Sequence, residues 1–187
     1  MEQHELRLYT VDMKYIRNLQ NKDSRIYSVS PQIGKDDRPF LGILLVCNDH
    51  KYCVPLSKPK DKHKEMRDKI DFKRIIVDEK IIGVINFNLM IPVEEDQLRE
   101  IDTEIHKHDN RDTRRRKQRL KKELEWCNEH SRELENTANV LYEMYNSDKQ
   151  FSARERCADF KKLEKECEKY NRKKETSNPF EFLYSRL

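Results

Sequence analysis

The residues with the most chemical potential lie where an apolar segment ends. Val54-Pro55-Leu56 is followed by Ser57-Lys58-Pro59-Lys60-Asp61-Lys62-His63, which sets a hydroxyl, three lysines and an imidazole within seven positions. Pro59 lacks a backbone donor and stiffens the loop, holding Ser57 and Lys60 in a fixed relation. Cleavage of a phosphodiester requires a donor to the non-bridging oxygens, a cation against the charge of the pentavalent state, and groups that move two protons. Ser, Lys and Arg fill the first two roles, and His, Tyr or Lys the third. The same composition also describes an ordinary proline-braced basic surface loop, and spacing alone leaves both readings open.

Other parts of the sequence point the same way. Tyr9, Tyr15, Tyr27 and Tyr52 fall in the first third, with Tyr15 beside Lys14 and Arg17. Aromatic rings interleaved with positive charge are what grips single-stranded RNA, although half-buried tyrosines on a small sheet give the same pattern. Arg111–Lys122 packs eight basic residues around one acid, among them Arg114, Arg115, Arg116 and Lys117. Such a run is an electrostatic footprint for phosphate if it shares a face with other cations, and a solvated helix surface if it does not. His106-Lys107-His108 has no Cys or carboxylate partner at metal-ligand spacing and reads as a solvated helix start.

These groups must be positioned by a scaffold. Leu6–Val11 alternates as a short strand, and Asp12 caps a helix over 12–21 whose Ile16 and Leu19 face inward. The polar stretch 21–39, with Pro31, Gly34 and Pro39, reads as a long loop. Phe40–Cys47 is continuously apolar, a central strand, and Asn48-Asp49 turns it into the partner strand His50–Leu56. A polar, basic loop with a short helix leads to a second hairpin, Phe72–Val77 and Lys80–Asn86, turning at Asp78-Glu79. One more strand is expected over Asn86–Val93, ended by Pro92.

From Glu94 the period becomes helical. Leu120, Leu124, Cys127, Leu134, Ala138, Leu141 and Tyr145 fall at steps of four and three along a single long helix, with Ser131 at the one polar step. After a break near Asn146-Ser147, Ala153, Cys157, Phe160, Cys167 and Tyr170 continue on another helix. The expectation is one α+β domain over 1–187: a mostly β core over 1–93, curled into a half-barrel, with a helical hairpin over 94–187 packed against it.

Composition removes several classes. Charged residues make up 40% of the 187 and hydrophobic ones 35%, so polar surface is abundant and the apolar residues concentrate in the first half. No apolar run approaches a membrane span, and the start MEQHELRLYT lacks the order of a signal peptide. Five cysteines without paired spacing are expected as free thiols in a cytoplasmic chain. No phosphate-binding glycine loop, dinucleotide fingerprint, zinc motif or nucleophile elbow occurs, so no cofactor and no metal are expected.

Four blocks in order resemble the ToxN/AbiQ family, endoribonuclease toxins of type III toxin–antitoxin systems. They are Leu8-Tyr9-Thr10 leading to Lys14-Tyr15-Ile16; Arg38-Pro39-Phe40-Leu41-Gly42-Ile43; His50-Lys51-Tyr52 to Pro55-Leu56-Ser57-Lys58-Pro59-Lys60; and Gly83-Val84-Ile85-Asn86 to Met90-Ile91-Pro92. The resemblance implies a curled antiparallel sheet related to the MazF/Kid toxins. It also implies metal-independent RNA cleavage leaving 2′,3′-cyclic phosphate, on cellular or phage RNA. The implied partner is a tandem-repeat RNA antitoxin, cut into pseudoknot units that fill the active-site groove of a closed protein–RNA assembly. Ser57 and Lys60 match the family's active-site hydroxyl and lysine, Arg38 its basic position before the Phe-x-Gly strand, and Tyr15 the aromatic of its first helix. Lys58 stands where some members carry a second hydroxyl, and Lys62 where some carry an aromatic.

On that basis Ser57, Lys60, Arg38 and Tyr15 are expected to be catalytic, Tyr15 by orienting a base or ribose, with His63 a candidate general base. Tyr9, Lys58, Lys62, His63, Arg114, Arg115, Arg116 and Lys117 are expected to bind RNA, with Lys64 beside them. The rival expectations are a MazF-like toxin held by a protein antitoxin and a non-catalytic RNA-binding adaptor.

Overall fold

The structure is a computed structural model that describes residues 5–27, 38–46, 50–147 and 150–177. Its strands form one antiparallel, unclosed sheet. They are β1 (Arg7–Val11), β2 (Phe40–Val46), β3 (His50–Ser57), β4 (Lys73–Val77), β5 (Lys80–Ile85), β6 (Ile91–Pro92) and β7 (Leu98–Glu100). The order is β4-β5-β3-β2-β1-β7, with β6 paired to β3 off that path. The turn expected at Asn48-Asp49 and most of the long loop before β2, with Pro31 and Gly34, lie outside the described residues.

β3 is the spine. One edge runs along β2, with Phe40 opposite Pro55 and Val46 opposite His50. The other edge is shared, since β6 covers Tyr52 and Cys53 while β5 covers Leu56 and Ser57. Pro55 falls in the gap between those partners, so its missing N–H breaks no ladder bond. Its carbonyl accepts from the Asn86 backbone at 3.2 Å, which ties the end of β5 to β3. The β4–β5 hairpin turns through Asp78 and Glu79 with φ of 49° and 61°, the doubly left-handed turn that matches strand twist.

The helices are α1 (Met13–Lys22), α2 (Lys62–Glu65), α3 (Arg111–Glu129), α4 (Ser131–Asn146) and α5 (Phe160–Ser177). Asp12 caps α1 by accepting from the Tyr15 N–H at 2.9 Å, and Ile16 and Leu19 are buried as their spacing requires. The long helix expected across 120–145 is two helices. The backbone leaves helical geometry at His130 (φ −108°, ψ 13°), so α3 lies on the β4–β5 hairpin while α4 lies on β2. A straight helix could not follow both parts of a twisted sheet with one apolar stripe. α5 packs against α1 and β6. The helical reading from Glu94 is also corrected: Leu98–Glu100 is an edge strand on β1. Helix begins only at Arg111, where Asn110 caps it by accepting from Thr113 N–H at 2.9 Å.

Below the sheet, one carboxylate joins three elements. Glu164 of α5 is buried and accepts from the Tyr52 hydroxyl of β3 at 2.8 Å and the Tyr142 hydroxyl of α4 at 2.5 Å. Lys161 stands 3.3 Å from its second oxygen. Cys53, Cys127, Cys157 and Cys167 are buried free thiols; burial raises their pKa values, which keeps them protonated and unreactive.

Candidate active site

β3 delivers Ser57 to the rim of a cavity of about 840 Å³. Among the described residues seven cationic side chains line it, Arg38, Lys58, Lys60, Lys62, Arg116, Arg119 and Arg156, against two acidic ones, Asp71 and Glu123. Asp71 is spoken for by Arg156, at 2.8 Å. An anionic polymer is the ligand this charge pattern suits.

The serine hydroxyl is held from two sides. Its Oγ accepts from Arg38 Nη1 at 3.4 Å and from Asn86 Nδ2 at 3.3 Å. A hydroxyl has two acceptor sites and one proton; with both acceptor sites used, the proton is free to point into the cavity. Arg38 is fixed in turn by the Tyr27 ring, 4.0 Å from the guanidinium carbon. Burial lowers the Arg38 pKa, the tyrosine opposing that shift, yet a guanidinium stays charged. Its buried Nε has no hydrogen-bond partner among the described residues.

After Ser57 the chain turns through Pro59 into α2. His63 is buried and its Nδ1 accepts from the Lys60 backbone N–H at 2.9 Å. Burial, followed by the charges of Lys62 and Lys60, lowers its pKa, so the neutral ring dominates. That hydrogen bond fixes the tautomer: Nε2 carries the proton and is a donor. The general-base role expected for His63 is therefore corrected, because its only free lone pair is already committed. The same bond locks the Lys60 backbone, which braces the loop as Pro59 was expected to do.

Several expected residues are elsewhere. Tyr15 is fully buried; its hydroxyl donates to the Pro92 carbonyl at 2.7 Å and its ring packs on Tyr170. It is a core residue, and the catalytic role expected for it is corrected on that burial. Lys117 is buried with its ammonium at 2.8 Å from Asp102, 3.2 Å from Asp109 and 2.6 Å from the Glu104 carbonyl, so its charge is consumed by the loop before α3. Arg114 spends its guanidinium on the carbonyls of His106, Lys107 and Asp109. Tyr9 sits on β1 opposite Phe40 and Glu100. Tyr9, Arg114 and Arg115 do not line the cavity. Lys58, Lys62, His63 and Arg116 do.

The helical period explains the division of the basic run. Positions 116, 119 and 123 recur at steps of three and four and share the face toward the cavity, while 114, 117 and 121 face the preceding loop. Asn86 and Glu123 were not proposed for the site by sequence, Tyr27 was named only among the aromatics of the first third, and Arg119 only within the basic run. Asn86 had a signal, as a polar residue ending an apolar strand beside the β3 exit, and Arg119–Glu123 had its i,i+4 spacing.

The profile of the ToxN toxin family of type III toxin–antitoxin systems matches residues 7–168. An endoribonuclease ToxN of Bacillus thuringiensis subsp. kurstaki is 32% identical over 172 residues, spanning 88% of this chain and 84% of that protein. Among solved structures, a type III toxin selectively inhibited by a non-coding RNA pseudoknot superposes with a TM-score of 0.75 at 25% identity, covering 90% of this chain and 99% of the other. AbiQ, a lactococcal anti-phage endoribonuclease, superposes with a TM-score of 0.77 at 24% identity, over 90% and 99%. With the match covering most of the chain and including the strands and loop that carry Ser57, this protein belongs to the ToxN family of type III toxin–antitoxin toxins.

Proposed function

We propose that this protein is an endoribonuclease toxin that cleaves RNA without a metal ion, through attack of the substrate's own 2′-oxygen. What carries the reading is the Ser57 hydroxyl, held by Arg38 and Asn86 inside a cavity walled by lysines and arginines. The 2′-oxygen bonds to phosphorus and gives up its proton; the bond to the 5′-oxygen breaks, and that oxygen takes a proton. The products are a 2′,3′-cyclic phosphate and a 5′-hydroxyl. Ser57 donates to a non-bridging oxygen as charge develops there, Arg38 and Lys60 neutralise the phosphorane, and His63 offers its Nε2–H as a neutral donor. The controlling partner in this reading is a tandem-repeat RNA that the toxin cuts into pseudoknots, which then fill the same groove in a closed assembly. Phage infection is the circumstance in which the toxin acts.

The test is incubation of the purified protein with a mixed RNA transcript in excess EDTA, followed by analysis of the ends. Discrete cuts bearing cyclic phosphate are expected. Intact RNA with a retained band shift would instead identify a non-catalytic RNA-binding adaptor.

The groove also predicts which arginines of α3 matter. Reversing Arg116 and Arg119 together to Glu is expected to weaken RNA binding and reduce the slope of log affinity against log salt by about two. Reversing Arg111 and Arg115 is expected to leave that slope nearly unchanged. Filter binding across a salt series measures both, and equal effects would remove the face assignment.

A further inference from the structure

One carboxylate lies in this cationic cavity without a settled partner. Glu123 is only 2% exposed, and its side chain rests on the bare Cα of Gly83. A Cβ at Gly83 would meet Glu123 Oε1 at 2.7 Å, so only glycine lets the carboxyl settle this deeply. Gly83 precedes Val84, which pairs with Ser57. Side chains alternate across a strand, so Ser57 and Val84 share one face while Gly83 belongs to the face that α3 covers. Lys58, one residue beyond Ser57, is directed to that second face, where its charge acts on Glu123. The cavity thus continues from the Ser57 side around the end of β3 to a second compartment formed by Lys58, Arg116, Arg119 and Glu123.

The Arg119–Glu123 pair is half made. Arg119 Nε stands 3.3 Å from Glu123 Oε1, but its N–H is misdirected and this buried atom has no hydrogen-bond partner among the described residues. A buried ion pair that stabilised the fold would need aligned hydrogen bonds to offset desolvation. A guanidinium with an unspent N–H, on a residue that lines the cavity, suits an incoming phosphate oxygen instead. The charged groups facing Glu123 are Arg119 and Arg116 from α3 and Lys58 from the β3 exit, with the Cys127 thiol below. From β4 the nearest register position is the apolar Ile75, and the Lys73 ammonium is bound to Glu133.

We propose that the Glu123 carboxylate occupies, at Arg119, the place of an RNA phosphate next to the scissile one, so that RNA enters this compartment together with one proton. The proposal rests on the RNA-groove reading above. The proton comes from solvent and neutralises the carboxylate, which then ceases to repel the phosphate and frees Arg119 for it. Burial pushes the Glu123 pKa up to about 7 against the pull of Arg119, Arg116 and Lys58, so the group changes charge within the working range. A nearby phosphate raises it further, and the sign follows: RNA affinity is highest below pH 7 and falls as pH rises.

The experiment uses a 2′-O-methylated RNA of mixed sequence, which has no attacking hydroxyl, at constant ionic strength. Wild-type affinity is expected to fall roughly tenfold more than that of Glu123→Gln between pH 6 and pH 8, the limit for one linked proton. Titration calorimetry at pH 7.5 in two buffers of different ionisation enthalpy is expected to show wild type taking up about three-quarters of a proton and the variant far less. A thermal melt of Glu123→Gln checks that the isosteric change leaves the fold intact. Parallel pH profiles for the two proteins would overturn the proposal and make Glu123 a structural partner of Arg119. Absence of RNA binding at every pH would instead overturn the RNA-groove reading, and this inference with it.

Discussion

Ser57→Ala is expected to slow RNA cleavage by about 10²–10³-fold while leaving RNA affinity nearly unchanged, the loss typical of one donor aimed at developing charge. The hydroxyl is a single contact in a cavity lined by seven cationic side chains among the described residues, so binding is expected to survive its removal. Arg38 and Asn86 both direct hydrogen bonds to Ser57 Oγ, and alanine leaves those donors without their acceptor. Part of the lost rate is therefore misplacement of Arg38. Single-turnover cleavage alongside equilibrium binding separates the two quantities. Cleavage by Ser57→Ala at the wild-type rate would remove the serine from the mechanism. A parallel loss of affinity would make it a binding residue.

The largest expected effect on stability is at Glu164. Glu164→Ala removes Oε1, the acceptor shared by the Tyr52 and Tyr142 hydroxyls, and leaves Tyr142 only the hydrogen bond it accepts from Lys161 at 2.7 Å. Hydrogen bonds to charged groups contribute about 1.5–3 kcal/mol each, so a destabilisation of about 3–6 kcal/mol is expected; the Lys161 ion pair adds little because Lys161 is half exposed. In a chain of this length each kcal/mol moves Tm by about 2–4 °C, giving a fall on the order of 10 °C. Glu164→Gln keeps an amide oxygen for both hydroxyls and loses only the charge, so it should melt between wild type and the alanine variant. Thermal melts of the three proteins decide it. An alanine variant melting with wild type would mean that the two tyrosines find other partners.

Sequence legibility followed the strength of the local physical signal. The continuous apolar run of β2, the alternation of β1 and the Asp78-Glu79 turn each reflect a backbone requirement confined to a few neighbours, and their elements form where expected. The Ser57–His63 exit was legible because a chain leaving a buried strand must surface there. Side-chain direction was not legible at Tyr15: its place beside basic residues suggested stacking, but Ile16 and Leu19 on the same helix set a buried face that it shares. Lys117 failed for a complementary reason. Its neutralising partners Asp102 and Asp109 lie on a loop, and helical period carries no information about a loop folding back. Asn86 and Arg119 reach the site only through the pairing of β5 with β3 and the packing of α3, contacts long in sequence.

The placement of Ser57 has a consequence for how such a protein can be silenced. The hydroxyl ends the strand flanked by β2 on one edge and by β6 and β5 on the other, the same strand whose Tyr52 is anchored to α4 and α5 through Glu164. Loosening this strand means opening the whole sheet, so no cheap local rearrangement switches the serine off. An inhibitor therefore gains nothing by deforming the protein. A plug that matches the groove in charge and shape is the inhibitor such a strand favours.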